Sequence, residues 1–476
     1  MMPLRKLCLA LVLVTAGCWS ERSIGVSDRD ESAAKPKFPS SIVGQQGESL
    51  TLESPRAGDL DGDGLDDFLL LATRFRDDGI AERPLLYLFY GRTDFPAQLS
   101  TADADAAFEV DGGFNGPVGD LNGDGLSDLL LTHFDSADFV FGKKQRWHGL
   151  IERHGTGVTW TIGALPAPFS PALLIYFSVR GVGDLDGDGC ADLTVKAQAL
   201  LDAFTGEQAE GGWVVRGHEG AWKSIEWDAR SAVAGLGRGS AAAPFAESSL
   251  ISTEPAGDLD GDRRDDLMVV NGNASLLFYG KPEYPAEFSI DQADAKLTSE
   301  QGFVAPVLYS QPLGDLDGDG RDDLAVAGFG AGFRVAYGRR WSGDAQIEPE
   351  LAISFAGPGE TYVANTAAGD LDGDGFPELI LNVATQITPE QPFPSTAVYV
   401  VQGAGERLRG ELRLSDADRW HGLDSHADPG ASGAHLMLAG DVDGDGGEEL
   451  LTNRIVTDPS ETLPIYLVPS TPPRVQ

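Results

Sequence analysis

The feature that most constrains this chain of 476 residues is a ten-residue segment that recurs seven times. The copies, such as GDLDGDGLDD and GDLNGDGLSD, begin at Gly58, Gly119, Gly183, Gly257, Gly314, Gly369 and Gly440. The first aspartates of successive copies are 61, 64, 74, 57, 55 and 71 residues apart. Self-similarity at such a period indicates an array of equivalent modules that bury their cores against one another.

Each copy places acidic side chains on alternate residues of a glycine-rich turn, which we call the acidic loop. Counting from the first Asp, positions 1, 3, 5 and 9 carry side-chain oxygens, and the position 7 carbonyl is free to point inward. Such hard oxygen donors suit Ca²⁺, which accepts six to eight ligands in uneven geometry, better than they suit the smaller octahedral Mg²⁺. The sequence therefore predicts seven calcium sites.

The predicted side-chain ligands are Asp59, Asp61, Asp63 and Asp67; Asp120, Asn122, Asp124 and Asp128; Asp184, Asp186, Asp188 and Asp192; Asp258, Asp260, Asp262 and Asp266; Asp315, Asp317, Asp319 and Asp323; Asp370, Asp372, Asp374 and Glu378; and Asp441, Asp443, Asp445 and Glu449. The predicted carbonyl ligands are those of Leu65, Leu126, Cys190, Arg264, Arg321, Phe376 and Gly447. The copies are unequal, because Asn122 removes one charge and Arg263 replaces the position 6 glycine, where a left-handed backbone would be strained.

An EF-hand also begins Asp-x-Asp-x-Asp-Gly, but it ends with a bidentate Glu at position 12 inside a helix. Here that position is occupied by Leu70, Leu131, Val195, Val269, Val326, Leu381 and Thr452. Short apolar runs such as DFLLLA and ELILNV follow the loops, and these favour buried strands. Each acidic loop is therefore predicted to be a turn between two strands.

Further along each unit lies a second aromatic or β-branched run, such as LLYLFYG at Leu85 or LLFYG at Leu276. A unit thus supplies a strand before the loop, one after it, a third ending near a glycine, and room for a fourth. A four-stranded meander cannot bury both of its faces alone, and radial stacking of such sheets closes a β-propeller. We therefore predict an all-β fold with seven four-stranded antiparallel blades over residues 41–470, followed by a tail at 471–476.

The last unit lacks a fourth strand of its own, since only PSTPPRVQ follows LPIYLV. The segment SSIVGQQGESL before the first loop is the candidate to complete that blade. Deleting residues 40–50 is therefore expected to open the ring.

These units resemble FG-GAP repeats, the calcium-bearing blades of the integrin α-subunit propeller, over about residues 41 to 470. The resemblance implies a binding or adhesion platform that holds a protein or glycan on the face opposite the calcium loops. Candidate binding loops on that face begin at Thr73 and Thr385, and the first contains Arg74, Phe75, Arg76 and Arg83. Ordinary solvated loops are the alternative.

An enzyme is the competing class, with a carbohydrate- or phospholipid-processing site in the central channel. The chain has seven His residues but no HExxH, GxSxG or Cys/His pattern. The motif RWHGL occurs at Arg146 and again at Arg419. A zinc site at His421, His426 and His435 is conceivable, but these spacings match no standard zinc site. We therefore expect no catalytic residues.

The N-terminus indicates export. Arg5 and Lys6 precede a short apolar stretch, so residues 1–17 are predicted to be a signal peptide. VTAGC resembles the lipobox of bacterial lipoproteins, which implies acylation of Cys18 and an outer-membrane anchor. The polar segment that follows, with little apolar periodicity, predicts a flexible tether over residues 18–40. Secretion as a soluble protein is the alternative.

Charge and cysteine content limit the remaining possibilities. The net charge of −39 disfavours nucleic acid as a partner, because binding it requires a basic surface. Only three cysteines are present, and Cys8 lies in the predicted signal peptide. No disulfide framework is possible, so we expect calcium to provide the cross-linking. Cys190 is expected to be a buried or unreactive thiol.

Overall fold

The computed structural model describes residues 9–10, 40–52, 55–75, 82–111, 115–133, 135–162, 173–202, 207–227, 234–237, 251–271, 274–284, 287–299, 313–327, 333–348, 350–354, 361–385, 396–401, 403, 407–413, 435–453 and 465–468. These residues form seven β-sheets, with two 3₁₀ turns at Thr101–Asp103 and Ile290–Gln292. The predicted all-β class is confirmed.

We number the sheets after their acidic loops. Sheet 1 contains Glu48–Thr51, Arg56–Gly58, Asp67–Arg74, Leu85–Phe89, Ala106–Glu109 and Gly149–Ile151. Sheet 2 contains Asn115–Gly119, Asp128–Thr132, Ser136–Val140, Val158–Ile162 and Ile225–Trp227. Sheet 3 contains Leu173–Gly183, Asp192–Asp202, Glu207–Val215, Ala234–Gly237 and Glu287–Ser289. Sheet 4 contains Ile251–Gly257, Asp266–Asn271, Ala274–Phe278, Ala295–Ser299 and Gly343–Ile347.

Sheet 5 contains Leu324–Ala327, Phe333–Ala336, Leu351–Ser354 and Gly410–Arg413. Sheet 6 contains Thr361–Gly369, Glu378–Thr385 and Thr396–Val401, and the last of these pairs with Leu9–Ala10 from the predicted signal peptide. Sheet 7 contains His435–Gly440, Glu449–Asn453, Ile465–Val468, Ser40–Val43 and Gln98–Ser100.

The sheets differ from the predicted four-stranded antiparallel meander by an additional outer strand. Gly149–Ile151, which belongs to the second repeat, pairs in parallel with Ala106–Glu109 at the edge of sheet 1. The described residues contain six such parallel pairs, each formed with a strand of the following repeat. The antiparallel strand at each of these edges is therefore paired on both sides, and the outermost strand of the sheet comes from the following repeat.

Sheet 7 contains strands that are far apart in the sequence. Ser40–Val43 pairs antiparallel with Ile465–Val468, and Ser41 lies opposite Tyr466. On its other side Ser40–Val43 pairs in parallel with Gln98–Ser100 of the first repeat. The segment expected to complete the last blade therefore occupies the fourth position of sheet 7.

Among the described residues, the core is divided into seven clusters, each between two consecutive sheets. The side chains of alternate residues in one strand pack into different clusters. Leu69 and Leu71 pack towards sheet 2, whereas Phe68 and Leu70 pack towards sheet 7 together with Ile465. Because both faces of these strands are buried, their sequences are almost continuously apolar. The contacts between sheets form a closed cycle.

Several predicted features lie outside the described residues. These are most of the signal peptide, the tether up to residue 39, Cys18, the tail at 471–476, Arg76, residues 386–395, the second RWHGL motif, and His421 with His426. Within the described part of the chain, no helix has the length and apolar character needed to cross a membrane.

Candidate metal centres in the acidic loops

The backbone of each acidic loop is folded around the carboxylate at position 1. In the first loop Asp59 accepts hydrogen bonds from the N–H groups of Gly62 at 2.7 Å and Gly64 at 2.9 Å. Both glycines have positive φ, +76° and +88°. Arg263, which replaces the corresponding glycine in the fourth loop, has φ +68°, so this side chain is held in the left-handed conformation that glycine tolerates best.

The carboxylate at position 9 joins the loop to its own sheet. Asp67 accepts the N–H of Leu60 and the N–H of Gly91, both at 2.8 Å, and Gly91 follows the third strand. The same two contacts recur at Asp128, Asp192, Asp266, Asp323 and Glu378. Burial raises the pKa of Asp67 to about 8, despite these hydrogen bonds. Charge on this carboxylate is therefore costly without a nearby cation.

The structure brings several predicted ligands together. Oxygens of positions 1, 3 and 9 lie within 4.8 Å of one another in the first, third and fifth loops, and positions 1, 3 and 5 do so in the fourth. Oδ1 of Asp260, at position 3 of the fourth loop, is buried without a hydrogen-bond partner. Clustered oxygen donors and an unsatisfied buried carboxylate oxygen fit a calcium ion, which would neutralise the charge and join the strands on either side of the turn.

Consecutive acidic loops are joined by backbone hydrogen bonds. The N–H at position 8 donates to the position 1 carbonyl of the preceding loop at 2.7–3.0 Å. The pairs are Ser127 to Asp59, Ala191 to Asp120, Asp265 to Asp184, Asp322 to Asp258, Glu448 to Asp370 and Asp66 to Asp441. The sixth loop has Pro377 at position 8, which has no N–H to donate to the fifth. The loops therefore form a cycle with one link missing.

Close contact with position 8 of the next loop explains the glycine that precedes most of the loops, and Gly314, whose added Cβ would lie 3.9 Å from Pro377, is the exception. A Cβ on Gly257 would lie 2.1 Å from Oδ2 of Asp322, and a Cβ on Gly440 would lie 2.1 Å from Oδ2 of Asp66. Any larger residue would displace the neighbouring loop. Except at Gly314, the following repeat thus requires this glycine, and the sequence pattern alone did not show the reason.

Arginines from the following repeat contact the position 3 carboxylate in three of the loops. Arg146 contacts Asp61, and also Asp63 at 2.7 Å, while its guanidinium lies 4.6 Å from the centre of the Tyr90 ring. Two other arginines make the same pair of contacts. Arg340 contacts Asp260 and the Tyr279 ring, and Arg407 contacts Asp317 and the Tyr337 ring. In the third loop, Arg216 of the same repeat lies 2.7 Å from Asp186.

We call the three contacts to arginines of the following repeat the arginine clasps. Sequence reasoning missed them, although the recurrence of Tyr-Gly at the third strand and of an arginine two to four residues beyond the next repeat's glycine is visible in the chain.

Cys190, at position 7 of the third loop, is buried, and burial raises its pKa to about 11. The thiol therefore stays protonated and unreactive at neutral pH.

Comparison with known proteins identifies the repeat. No curated protein matches the chain. Among solved structures it is similar to BBS1N, from a crystal structure of BBS1N in complex with ARL6DN soaked with lead, at 12% identity, over 90% of this chain and 99% of that chain, with a TM-score of 0.34. At that TM-score the likeness supports no inference. Residues 315–381 match the FG-GAP-like repeat, from the first Asp of the fifth loop to the strand after the sixth. The resemblance expected from the sequence is thus confirmed, and the chain contains an FG-GAP-like repeat.

Proposed function

We propose that this protein is a seven-bladed β-propeller, stabilised by calcium, that serves as a non-enzymatic binding platform. The observation that carries the proposal is the closed cycle of contacts. Apolar clusters lie between every pair of consecutive sheets, including the seventh and the first, and the acidic loops follow the same order. The FG-GAP-like match at residues 315–381 supports the platform role, which is the function that the family resemblance implies.

In this proposal calcium acts structurally. The acidic loops use carboxylates that are held by backbone N–H groups, and an ion among them would offset their mutual repulsion. Removing that repulsion stabilises the contacts that each loop makes with the next.

The partner surface is proposed to lie at the strand ends opposite the acidic loops. Phe75 follows strand Asp67–Arg74 at that end and is 41% exposed. The flanking arginines are less available than the sequence suggested, because Arg74 pairs with buried Glu48 at 2.8 Å and Arg83 pairs with Glu109 at 3.1 Å. Phe75 is therefore the preferred anchor for a protein or glycan partner.

This proposal can be tested by applying the calcium-loaded protein to a glycan array. A second test cross-links it to envelope proteins of its own cell. We expect Phe75→Ala to abolish capture. Leu150→Ala, which removes an apolar residue that is 59% exposed on the outermost strand of sheet 1, serves as the matched control and should leave capture unchanged. If no glycan or protein is captured, or if both variants behave like the wild type, the platform role of this surface is wrong.

Export and anchoring are further parts of the proposal, and they rest on the sequence alone. We propose that Cys18 is acylated and holds the protein at the outer membrane of a bacterium. Cys18→Ser should move the protein from the membrane fraction to the soluble fraction. Mass spectrometry of the N-terminal peptide should detect acyl chains only in the wild type, and an unmodified wild-type peptide would favour simple secretion.

A further inference from the structure

A second cluster of metal-binding side chains lies in sheet 2, outside the acidic loops. His133 follows strand Asp128–Thr132, and Asp138 lies in the next strand, Ser136–Val140. His154 belongs to the segment before strand Val158–Ile162. Because the acidic loop precedes Asp128, the cluster sits at the opposite end of the same strand. These three residues were not identified as a site from the sequence, since they are separated by unrelated residues.

The geometry of the three side chains is compact. Nε2 of His133 lies 3.0 Å from Oδ2 of Asp138, and Nδ1 of His154 lies 3.0 Å from Oδ1 of the same carboxylate. Two zinc–ligand bonds of about 2.0–2.1 Å at a tetrahedral angle separate their ligand atoms by about 3.3 Å. One ion could therefore contact all three groups after small adjustments.

Burial and a second carboxylate favour an ion at this place. The side chain of His133 is fully buried, and its Nδ1 has no hydrogen-bond partner. This nitrogen lies 3.5 Å from Oδ2 of Asp111, which lies two residues beyond strand Ala106–Glu109 of sheet 1. A carboxylate behind the second nitrogen of a histidine is the usual outer support of a zinc ligand. Asp138 also accepts the hydroxyl of Thr159 at 2.6 Å, which fixes the carboxylate.

The backbone at His154 is strained. Its φ is +63°, an unusual value for a residue other than glycine, and its N–H donates to Oδ2 of Asp138 at 2.7 Å. A strained conformation that aims a side chain at a polar cluster suggests function rather than packing alone. His154 is also 43% exposed, so an ion could enter from its side and keep a water ligand there.

The other charged side chains near this cluster form ion pairs with one another. Arg153 contacts Asp111 at 3.0 Å and also contacts Asp135, while Arg83 contacts Asp111 at 3.2 Å. The Asp138 carboxylate and the two imidazole rings are then left to face a cation.

We propose that His133, Asp138 and His154 form a binding site for Zn²⁺ or a similar divalent transition metal. Two nitrogen donors and one carboxylate, with an open fourth position, match the ligand set of zinc rather than that of calcium. The site lies apart from the acidic loops, so its existence does not depend on calcium binding there.

The test is isothermal titration of the untagged full-length protein with ZnCl₂, in excess Ca²⁺ so that the acidic loops are not available to zinc. We expect one zinc equivalent to bind the wild type. His154→Gly and His154→Asn should each weaken binding at least about 100-fold. Both replacements accept a left-handed backbone, so the fold should persist, which circular dichroism can verify. His148→Ala, which removes an exposed histidine outside the cluster, is the control and should bind as the wild type does.

Cobalt provides a second measurement. Co²⁺ bound by nitrogen ligands should give visible absorption in the wild type that is lost in the His154 variants. If the wild type binds no zinc in excess calcium, or if the His154 variants bind as tightly as the wild type, the three residues form a hydrogen-bonded network only and the proposal is wrong.

Discussion

The backbone N–H of Asp66 donates to the carbonyl oxygen of Asp441 at 2.9 Å, and the N–H of Asp441 donates in return to Oδ2 of Asp66 at 3.2 Å. The two residues are 375 positions apart. The same reciprocal contact joins Asp184 with Asp265 in adjacent repeats. The first and seventh loops therefore meet in the way that sequence neighbours do, which is the central support for a closed propeller.

If strand Ser40–Val43 joins the last sheet to the first, substitutions at two of its adjacent residues should change the free energy of unfolding by different amounts. Ile42 is completely buried between sheets 7 and 1, whereas Val43 is 37% exposed. Ile42→Ala should lower the free energy of unfolding by about 2–5 kcal/mol, because it leaves a cavity at the junction. Val43→Ala should lower it by less than about 1 kcal/mol. Urea denaturation measures both, and equal small effects would mean that this strand does not close the ring.

Calcium removal should destabilise the protein strongly. With a dissociation constant of about 10⁻⁴ M, about 1 mM Ca²⁺ stabilises the fold by about 1.4 kcal/mol per site, or about 10 kcal/mol for seven sites. Calorimetry should therefore record a large fall in Tm with a chelator and full recovery after calcium is restored. Magnesium at the same concentration should restore little. A Tm that does not respond to the chelator would argue against all seven sites.

The arginine clasps should matter most without calcium. Arg146→Ala removes the contacts with Asp61 and Asp63 and the stacking on Tyr90. We expect a loss of about 1 kcal/mol in the free energy of unfolding in calcium, because this guanidinium is partly exposed to solvent. The loss should be larger with a chelator, when the loop carboxylates have no other cation. Lys144→Ala, on the exposed segment beside it, is the control, and an equal effect of both variants would rule out a specific clasp.

Glu48 should make the free energy of unfolding of the protein depend on pH in the acid range. Burial raises its pKa, but hydrogen bonds from Thr101, Tyr87, the Gln45 N–H and Arg74 together hold the pKa below its ordinary value. Its stabilisation is therefore complete above the ordinary Glu pKa of about 4.3, and it is lost as the pH falls through the lower folded value.

At neutral pH, Glu48→Gln should lower the free energy of unfolding by about 1–3 kcal/mol, because an amide cannot accept all of these hydrogen bonds. The difference from the wild type should vanish in acid. Denaturation at several pH values measures this, with exposed Glu82→Gln as the control. A difference that persists unchanged below the folded pKa would show that charge on Glu48 is not its cause.

Arg263 should be a position where glycine stabilises the protein. Because Arg263 has φ +68°, Arg263→Gly should raise the free energy of unfolding by about 1 kcal/mol. The reverse exchange, Gly64→Ala in the first loop, should lower it by a similar amount, since Gly64 has φ +88° and an added Cβ would meet nothing within 4 Å. Thermal unfolding of both variants should show opposite signs, and a stability loss for Arg263→Gly would mean that the arginine side chain outweighs the strain.

Much of the architecture could be predicted because its signals are local. The strand that follows each acidic loop, for example Asp67–Arg74, is recognisable from its apolar run. The parallel outer strands were missed, since Gly149–Ile151 is too short and too polar in its surroundings to indicate a partner in another repeat. The grouping of Asp59, Asp61 and Asp67 follows from their spacing, whereas the contact of Arg146 with Asp61 does not.

What the amino-acid sequence determined by itself is the repeated unit: an acidic turn between two strands that are apolar on both faces and must therefore be covered by neighbours. Period, spacing and side-chain chemistry are properties of consecutive residues, so they are visible without coordinates. Tertiary structure alone decided which residues of different repeats touch. The pairing of Asp66 with Asp441, the close packing at the glycine before most loops and the His133–Asp138–His154 cluster all depend on distances between chain segments. Only the folded packing of the sheets sets those distances.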